Sequence, residues 1–264
     1  MLEKELNDDL NIALEASKVA GDIIMKYYKH DYEIKEKGYH NPVTTADHEA
    51  DDFLKKILLD ARPEYGWLSE ETVDSKKRLN KKKVWIVDPI DGTKEFIEGV
   101  PHFVVSIGLV DNGKPVVGVL HNPAKNETFY ASHGSGSFLN EERFEVTKKD
   151  SIKEMTILNS RSETRKGLWE PFKNSFKKLD SIGSVAYKMG LTAVGKADIF
   201  ATLRPKNEWD VCAGVCLINE AGGKSINLNG QALEFNKEKT LIEPGIIAGY
   251  NLSVDKTYKE LNKK

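Results

Sequence analysis

The 264-residue chain carries 39 lysines and arginines against 41 aspartates and glutamates, for a formal net charge of −2, and it is 30% charged and 39% hydrophobic. This composition is typical of a soluble protein, and it gives no overall reason to expect a nucleic acid polymer or a membrane as partner. Cys212 and Cys216 are the only two cysteines, so a disulfide framework is not expected, and two thiols alone make a poor zinc site. We expect both to be buried small residues of a cytoplasmic protein.

The first part of the chain is predicted to form two amphipathic helices. Residues 1–28 mix acidic and basic side chains without an uninterrupted apolar stretch, so they predict neither a secretory signal nor a membrane span. Apolar and small residues recur at helical spacing between Leu6 and Ile24, which predicts a helix that covers a core. A second such helix is predicted over 48–62. The basic stretch 76–83 is interpreted as an exposed, solvated loop.

Strands dominate the middle of the chain, and strands and helices alternate after it. Residues 102–123 alternate apolar side chains around an Asp-Asn-Gly turn, which predicts a β-hairpin, and 127–140 predict a further strand and a glycine-containing turn. The elements predicted beyond residue 150 are a strand followed by a loop within 155–162, helices at 163–178 and 181–197, a strand at 198–203, a helix at 207–223 and a strand at 245–249. This change predicts two layered subdomains, an N-terminal α+β one over 1–150 and a C-terminal α/β one over 151–264.

Three separate stretches place carboxylates at the end of an apolar segment. Glu70 and Glu71 follow YGWLS, Asp88 and Asp91 end WIVDPID, and Asp210 follows a tryptophan. An acid at a strand end or helix start is usually a cap or a partner of the helix dipole when it stands alone. Together the five acids are typical of the oxygen-rich site that Mg²⁺ prefers.

The turn between the two aspartates supports this interpretation. Pro89 favours an extended Asp88, so that Asp88 and Asp91 can converge while the carbonyl of Ile90 faces the same ion. The segment GTKEFIEG predicts a short helix that begins at Thr93 or Lys94 and ends at Gly99. Backbone N–H groups at the start of a helix bind phosphate well. A metal ion on one side of a phosphate and amide donors on the other are the groups that stabilise phosphoryl transfer.

Four segments of the chain resemble motifs of the inositol monophosphatase superfamily of Mg²⁺-dependent, lithium-sensitive phosphomonoesterases. These are PVTTAD, WLSEE, DPIDGTKEF and EWDVCAGVCLINEAGG, which occur in the family's order, and the resemblance spans about residues 5–250. It implies an α/β fold, the αβαβα layered sandwich of the inositol monophosphatase and fructose-1,6-bisphosphatase type. It also implies a small phosphate ester as substrate and a monomeric or homodimeric protein without a nucleic acid or membrane partner.

The same resemblance implies roles for individual residues. Glu70, Asp88, Asp91 and the Ile90 carbonyl, together with Asp210 of the C-terminal subdomain, are expected to hold two or three Mg²⁺ ions. Thr93, oriented by Asp47 of PVTTAD, is expected to hold the attacking water. The amides of Gly92 and Thr93 would hold the phosphate, and Glu71 would lie near the metal-bound water.

The motifs contain features of two substrate classes, bisphosphate nucleotides and inositol phosphates. DGTKEF, NSRSE with Ser160, and SIGS with Ser184 look like the pattern of 3′(2′),5′-bisphosphate nucleotidases, and Leu203 stands where inositol phosphatases commonly carry a glutamate that binds ring hydroxyls. In contrast, the spacing of residues 183–195 matches the inositol phosphatases at least as well as it matches the nucleotidases. The cations expected to neutralise a second phosphate are Lys188, Arg204 and Lys206.

We therefore favour a bisphosphate nucleotidase that converts 3′-phosphoadenosine 5′-phosphate to AMP and phosphate. The alternative is an inositol-1-monophosphatase or a broad sugar-phosphate phosphatase. A non-catalytic regulator that binds metal and ligand is disfavoured, because Thr93, Asp47 and all the metal carboxylates are present.

Overall fold

The computed structural model describes residues 2–38 and 41–263. Within these ranges the chain forms seven α-helices, numbered α1 to α7 in chain order. Their bounds are Leu2–Met25, Thr45–Ala61, Thr93–Ile97, Arg161–Arg165, Val185–Ala193, Glu208–Glu220 and Asn251–Leu261. No helix in the described ranges combines the length and the hydropathy that a membrane crossing requires.

Sixteen strands, β1 to β16, accompany the helices in the same part of the chain. Their bounds are Ile34–Gly38, Asn41–Thr44, Gly66–Ser69, Lys83–Asp91, Val104–Asp111, Lys114–Asn122, Glu127–Ser132, Gly136–Leu139, Glu142–Phe144, Thr156–Ser160, Lys178–Ile182, Ile199–Thr202, Lys206–Asn207, Gly223–Asn227, Leu241–Ile242 and Ile246–Tyr250.

The strands form two large sheets and two small ones. The seven-stranded sheet has the order β3-β4-β5-β6-β7-β8-β9, in which β3 and β4 are parallel and every later pair is antiparallel. The five-stranded sheet has the order β11-β10-β12-β16-β14, with β10 parallel to both of its neighbours. The two-stranded sheets are β1-β2 and β13-β15.

Three apolar clusters show how the layers stack. The first joins α1 and α2 to one face of the seven-stranded sheet. The second joins the other face of that sheet to α5 and α6 and to the near face of the five-stranded sheet. The third lies between the five-stranded sheet and α7. This is the αβαβα sandwich that the sequence predicts, while the division into subdomains at residue 150 stays a prediction.

The packing of α6 depends on small residues in β5 and β6. A Cβ atom at Gly108 would lie 2.5 Å from Cys212 Sγ, and one at Gly118 would overlap the Ala213 carbonyl. Both cysteines are buried and free, as predicted, and burial raises the pKa of each thiol. The two cysteines are therefore core residues at the contact between α6 and the sheet. This close packing places the N-terminus of α6 beside the end of β4.

Two of the predicted helices require correction. The helix predicted over 163–178 is wrong: α4 ends at Arg165, a 3₁₀ turn spans Glu170–Phe172, and β11 begins at Lys178. Gly167 adopts a left-handed φ of 73°, and Pro171 lacks the N–H that a helix interior needs. The helix predicted over 181–197 is shorter, because β11 extends to Ile182. Helix α7 has no counterpart among the predicted elements.

The basic stretch 76–83 is not wholly an exposed loop. The Arg78 guanidinium is buried, where it donates to Asp74, to Asn236 Oδ1 and to the Lys237 carbonyl. Lys83 is buried at the start of β4, and its ammonium group contacts Asp9 and the Tyr65 hydroxyl. The prediction is therefore wrong for these two cations, which are paired inside the fold, and correct for the exposed lysines between them.

Candidate active site

A cleft of about 260 Å³ opens where the ends of β3 and β4 meet the N-termini of α5 and α6. Its lining contains eleven of the predicted site residues, namely Glu70, Asp88, Ile90, Asp91, Gly92, Thr93, Ser160, Ser184, Lys188, Lys206 and Asp210. Asp47, Glu71 and Arg204 do not line it. Residues separated by more than 100 positions in the chain therefore come together at one place.

A break in the pairing of β4 with β5 presents the two aspartates of DPID. Asp88 pairs with Ser106 and Asp91 with Val104, so the register shifts between them. The backbone N–H of Ile90 donates to Asp88 Oδ1 at 3.0 Å, which closes a local turn. The turn is buried, since Asp88 is 2% exposed and Ile90 is 1% exposed. Asp88 and Asp91 both line the cleft, although the strand that carries them is buried in the core.

Glu70, Asp88 and Asp210 each offer a carboxylate oxygen, and these three atoms lie within 4.8 Å of one another. Glu70 directly follows β3. Asp210 is in the first turn of α6, where its carboxylate accepts from the backbone N–H of Asn207 at 2.9 Å. The cluster is therefore held by two neighbouring strands and one helix start.

This cluster is electrostatically unfavourable without a cation. Burial, followed by the charges of Glu70, Asp91 and Asp210, raises the pKa of Asp88 well above its usual value. Burial and the charges of Asp91 and Glu70 raise the pKa of Asp210 to about 8. A donor set of carboxylate oxygens and the Ile90 carbonyl suits Mg²⁺. The residues therefore fit the metal that the motifs imply.

Asp91 is held in a different way from the other three acids. Its Oδ2 accepts a hydrogen bond from Ser184 Oγ at 2.6 Å and another from the backbone N–H of Ala186 in α5. Burial raises the pKa of Asp91, while these two hydrogen bonds and the charge of Lys188 oppose the rise. The Lys188 ammonium is itself buried and donates to the carbonyls of Ser184 and Ile182.

Glu71 forms an ion pair with a residue that the motifs do not single out. Lys37 Nζ, from β1, lies 2.6 Å from both Glu70 Oε1 and Glu71 Oε1. Burial raises the pKa of Glu71 to about 7, and the hydrogen bond from Lys37 opposes that rise. Strand β1 therefore places a cation against Glu71 and against Glu70, which lines the cleft.

Gly92 and Thr93 form the turn between β4 and α3. Gly92 has a φ of 108°, and a Cβ atom there would lie 2.7 Å from the His102 carbonyl, so that only glycine fits. Thr93 Oγ1 lies 3.2 Å from Asp47 Oδ1 and 3.1 Å from the Ile90 carbonyl. Burial raises the pKa of Asp47 to about 6. Asp47 thus contacts Thr93, and the role of this pair in holding a water stays a prediction.

Asp47 also has a structural role in α2. Its Oδ2 accepts from the backbone N–H of Thr44 at 2.7 Å and from Thr44 Oγ1 at 2.6 Å. Thr44 is the N-cap and Asp47 is the third residue of a capping box. One oxygen of Asp47 thus belongs to the capping box of α2 while the other contacts Thr93, so the residue has a structural contact beside the one that the predicted water relay uses.

Cations line the same cleft as the acids. Five cations line the cleft, namely Lys94, Arg161, Arg165, Lys188 and Lys206. The Arg161 guanidinium bridges Glu95 and Glu98 at 2.9 and 2.8 Å. Sequence reasoning did not single out Arg161 or Arg165. The one local feature that could have indicated these two arginines is that they follow a predicted strand, in the same segment as the predicted site residue Ser160.

The family to which the chain belongs follows from comparison with known proteins. The sequence model described as the inositol monophosphatase family matches residues 5–263. The chain belongs to this family, whose members are metal-dependent phosphatases that hydrolyse phosphate monoesters. The resemblance deduced from the four motifs is confirmed.

Individual relatives differ in their named substrates. The chain is 31% identical to a fructose-1,6-bisphosphatase/inositol-1-monophosphatase of Thermotoga maritima over 91% of this chain and 93% of that protein. It is 29% identical to the 3′(2′),5′-bisphosphate nucleotidase CysQ of Aggregatibacter actinomycetemcomitans over 91% and 92%. The crystal structure of the extragenic suppressor protein SuhB from Bartonella henselae superposes with a TM-score of 0.85 at 30% identity, covering 96% of this chain and 98% of that one.

Proposed function

We propose that the protein is a Mg²⁺-dependent phosphatase that hydrolyses 3′(2′),5′-bisphosphate nucleotides and converts 3′-phosphoadenosine 5′-phosphate to AMP and phosphate. The observation that carries the proposal is that one cleft contains both an acidic cluster and several cations. Three carboxylate oxygens lie within 4.8 Å of one another, and five lysines and arginines line the cleft with them. A metal cation bound by the acids and a polyanion bound by the basic residues would neutralise both sets of charges.

The acids of the cleft would hold the metal. Glu70, Asp88, Asp91 and Asp210, with the Ile90 carbonyl, would bind two or three Mg²⁺ ions. When bound, Mg²⁺ lowers the pKa of a water and stabilises the alkoxide leaving group. The proposal requires these carboxylates to be ionised, although burial raises the pKa of Asp88, Asp91 and Asp210 in the metal-free protein.

Thr93 and Asp47 would orient the attacking water. When the Thr93 hydroxyl donates its single hydrogen to Asp47, its oxygen is left as an acceptor for a hydrogen of the water. Because the pKa of Asp47 is about 6, its carboxylate is ionised at neutral pH and can accept this hydrogen bond. Water attacks phosphorus, the ester oxygen leaves with a proton as the alcohol, and inorganic phosphate is released.

Two observations favour a nucleotide bisphosphate over inositol phosphate. Leu203 packs against the cluster between the five-stranded sheet and α7 and does not line the cleft, so this position offers no carboxylate to ring hydroxyls. The basic lining matches the charge of a substrate with two phosphates. The second candidate, an inositol or sugar phosphate, is favoured by relatives such as the inositol-1-monophosphatase of Rhizobium meliloti, at 31% identity.

The test measures phosphate release from 3′-phosphoadenosine 5′-phosphate and from inositol 1-phosphate in parallel, with Mg²⁺ and with excess chelator. We expect a kcat/KM ratio of at least about 10 in favour of the nucleotide, which corresponds to roughly 1.4 kcal/mol. Equal or reversed values would replace the nucleotide with the second candidate. Substantial hydrolysis in chelator would contradict the metal mechanism for either substrate.

A further inference from the structure

A second cavity adjoins the active-site cleft. It has a volume of about 570 Å³, and four residues line both spaces, namely Pro42, Lys94, Ser162 and Arg165. We call this cavity the side basin. It is formed by β1, α3, α4 and the segment after β12, and it contains none of the acids of the cleft.

The side basin carries an excess of positive charge. Its cations are Lys94, Arg165, Lys166 and Arg204, and its acids are Glu36 and Glu98. Glu98 already binds Arg161 at 2.8 Å. Within residues 2–38 and 41–263, none of the four cations has an ion-pair partner. A cavity lined by four unpaired cations attracts an anion, since each charge gains an opposite partner when the anion binds.

The apolar part of the basin restricts what the anion is attached to. Ile34 of β1 and Ile97 of α3 line the basin together with the cations. Ile34 is 51% exposed, which leaves a large apolar side chain beside the charges. A ribose, a base or another organic group could cover it, whereas a free inorganic ion would leave it in water.

We infer that the side basin binds the second phosphate of a bisphosphate substrate whose scissile phosphate lies in the cleft, and this inference rests on the proposed function. Arg165 lines both spaces and would contact both ends of the substrate. Lys166 and Arg204 line the basin but not the cleft, so they would contact the second phosphate alone. An arginine can bind a phosphate through two parallel N–H donors.

The experiment compares substrates that differ only in the second phosphate. The two pairs are adenosine 3′,5′-bisphosphate with adenosine 3′-monophosphate, and fructose 1,6-bisphosphate with fructose 1-phosphate. The ratio of kcat/KM, bisphosphate to monophosphate, is measured for the wild type, for the double variant Lys166→Ala/Arg204→Ala and for Arg204→Glu. Both positions are exposed, so that the variants are expected to fold, which melting curves check.

We expect the wild-type ratio to exceed about 10 in at least one pair, the double variant to lower it at least about fivefold, and Arg204→Glu to lower it further by repulsion. The Ki of AMP, a product that keeps the second phosphate, should rise by a similar factor, while that of inorganic phosphate should not. The matched control is Arg143→Ala, an exposed arginine on β9 at the far edge of the seven-stranded sheet, which should leave every ratio unchanged.

The outcomes separate this inference from the proposed function. A wild-type ratio near 1 in both pairs, or a ratio that the double variant retains, would overturn the inference while the phosphatase activity stands. If only the fructose pair is hydrolysed and its ratio depends on Lys166 and Arg204, the nucleotide function is wrong and the inference holds. If Arg143→Ala lowers the ratio as much as the double variant, general surface charge accounts for the preference and the inference is wrong.

Discussion

Ser184 Oγ donates a hydrogen bond of 2.6 Å to Asp91 Oδ2 and so links the start of α5 to the end of β4. The same oxygen accepts from the backbone N–H of Tyr187 at 3.0 Å and caps α5. Ser184 has φ 56° and ψ 126°, a conformation that costs a non-glycine residue free energy. The orientation of Asp91 is therefore set by a serine that the surrounding fold holds in an unfavourable backbone conformation.

Removing the Ser184 hydroxyl should impair the proposed metal site through Asp91, one of its expected ligands. Ser184→Ala and Ser184→Gly both lose the hydrogen bond to a charged carboxylate, which is worth about 1.5–3 kcal/mol. We expect kcat/KM to fall about 10- to 100-fold in both variants and the affinity for Mg²⁺ to weaken. Steady-state kinetics and calorimetric titration with Mg²⁺ measure the two effects.

The two Ser184 variants should differ in stability. Glycine adopts a positive φ without the steric cost that alanine meets, so Ser184→Gly should melt at a higher temperature than Ser184→Ala. Ser181→Ala is the control, because Ser181 Oγ donates to Asn159 Oδ1 within the five-stranded sheet. Wild-type kinetics in both Ser184 variants would show that Asp91 needs no support from Ser184.

Lys37 should compete with the metal for Glu70. Its ammonium lies 2.6 Å from the carboxylates of Glu70 and Glu71, and its side chain is 25% exposed. Such a partly exposed pair is worth at most about 1 kcal/mol. We expect Lys37→Ala to lower the Kd for Mg²⁺ by up to about fivefold, as measured by calorimetry.

Lys35→Ala tests whether the loss of any positive charge from β1 lowers the Kd for Mg²⁺ as Lys37→Ala is expected to do. Lys35 belongs to the same strand, and its one ion pair within residues 2–38 and 41–263 is an exposed one with Glu33 at 3.7 Å. This variant should leave the affinity for Mg²⁺ unchanged. A weaker affinity in Lys37→Ala would mean that Lys37 helps to assemble the site instead of competing for it.

Magnesium binding should release protons near neutral pH. The pKa of Asp210 is about 8 in the metal-free protein, and that of Asp88 is also raised, whereas the metal needs ionised carboxylates. The Kd for Mg²⁺ should therefore rise as the pH falls below about 8, by up to about tenfold per pH unit for each proton released. Calorimetry in buffers with different heats of ionisation counts the protons.

The stability of the metal-free protein should follow the same titration. The folded state holds the Asp210 proton more tightly than the unfolded state, since the pKa falls from about 8 to 3.8 on unfolding. This contribution to stability is complete below about pH 4 and is lost as the pH rises through 8. Without metal, the melting temperature should therefore fall as the pH rises from 6 to 8.5. Saturating Mg²⁺ should remove this pH dependence of the melting temperature. A slope that persists with Mg²⁺ would contradict the assignment.

Much of the fold follows from local patterns in the sequence. The hairpin of β5 and β6 was predicted because apolar side chains alternate on its two faces, with Ile107 in one core cluster and Val104 in the other. The region 163–178 was mispredicted because its composition allows a helix, while Gly167 and Pro171 favour turns. Paired cations such as Lys83 cannot be told from exposed ones by sequence, because Asp9 is brought to Lys83 only by the tertiary fold.

The candidate site shows the same division between local and tertiary information. The acids of DPID were found because charges that end a buried strand need compensation, and that cost is visible in the sequence. Lys37 and Arg165 lack such a signal, because an exposed cation on a short element is common. Only the fold places Lys37 against Glu70 and Glu71 and Arg165 between the cleft and the side basin.

Thr93 and Asp47 should act as a unit if they orient the attacking water. Thr93→Ala and Asp47→Asn should each lower kcat by about 10²–10⁴, and the double variant should be little worse than the poorer single one. Mg²⁺ stoichiometry should survive better than in Asp91→Asn, because Asp91 is one of the proposed metal ligands and neither Thr93 nor Asp47 is. Single-turnover rates and Mg²⁺ titrations measure these effects.

The capping role of Asp47 requires its own control, because Asp47→Asn also disturbs the hydrogen bonds from Thr44 to Oδ2. Thr44→Ala removes the hydroxyl part of that capping box and leaves the contact of Oδ1 with Thr93 at 3.2 Å intact. It should cost about 0.5–2 kcal/mol of stability with little change in the chemical step, whereas Asp47→Asn should lose both stability and rate. If Asp47→Asn melts early yet turns over normally, or if the penalties of the two single variants multiply in the double variant, Asp47 only caps α2 and the relay is wrong.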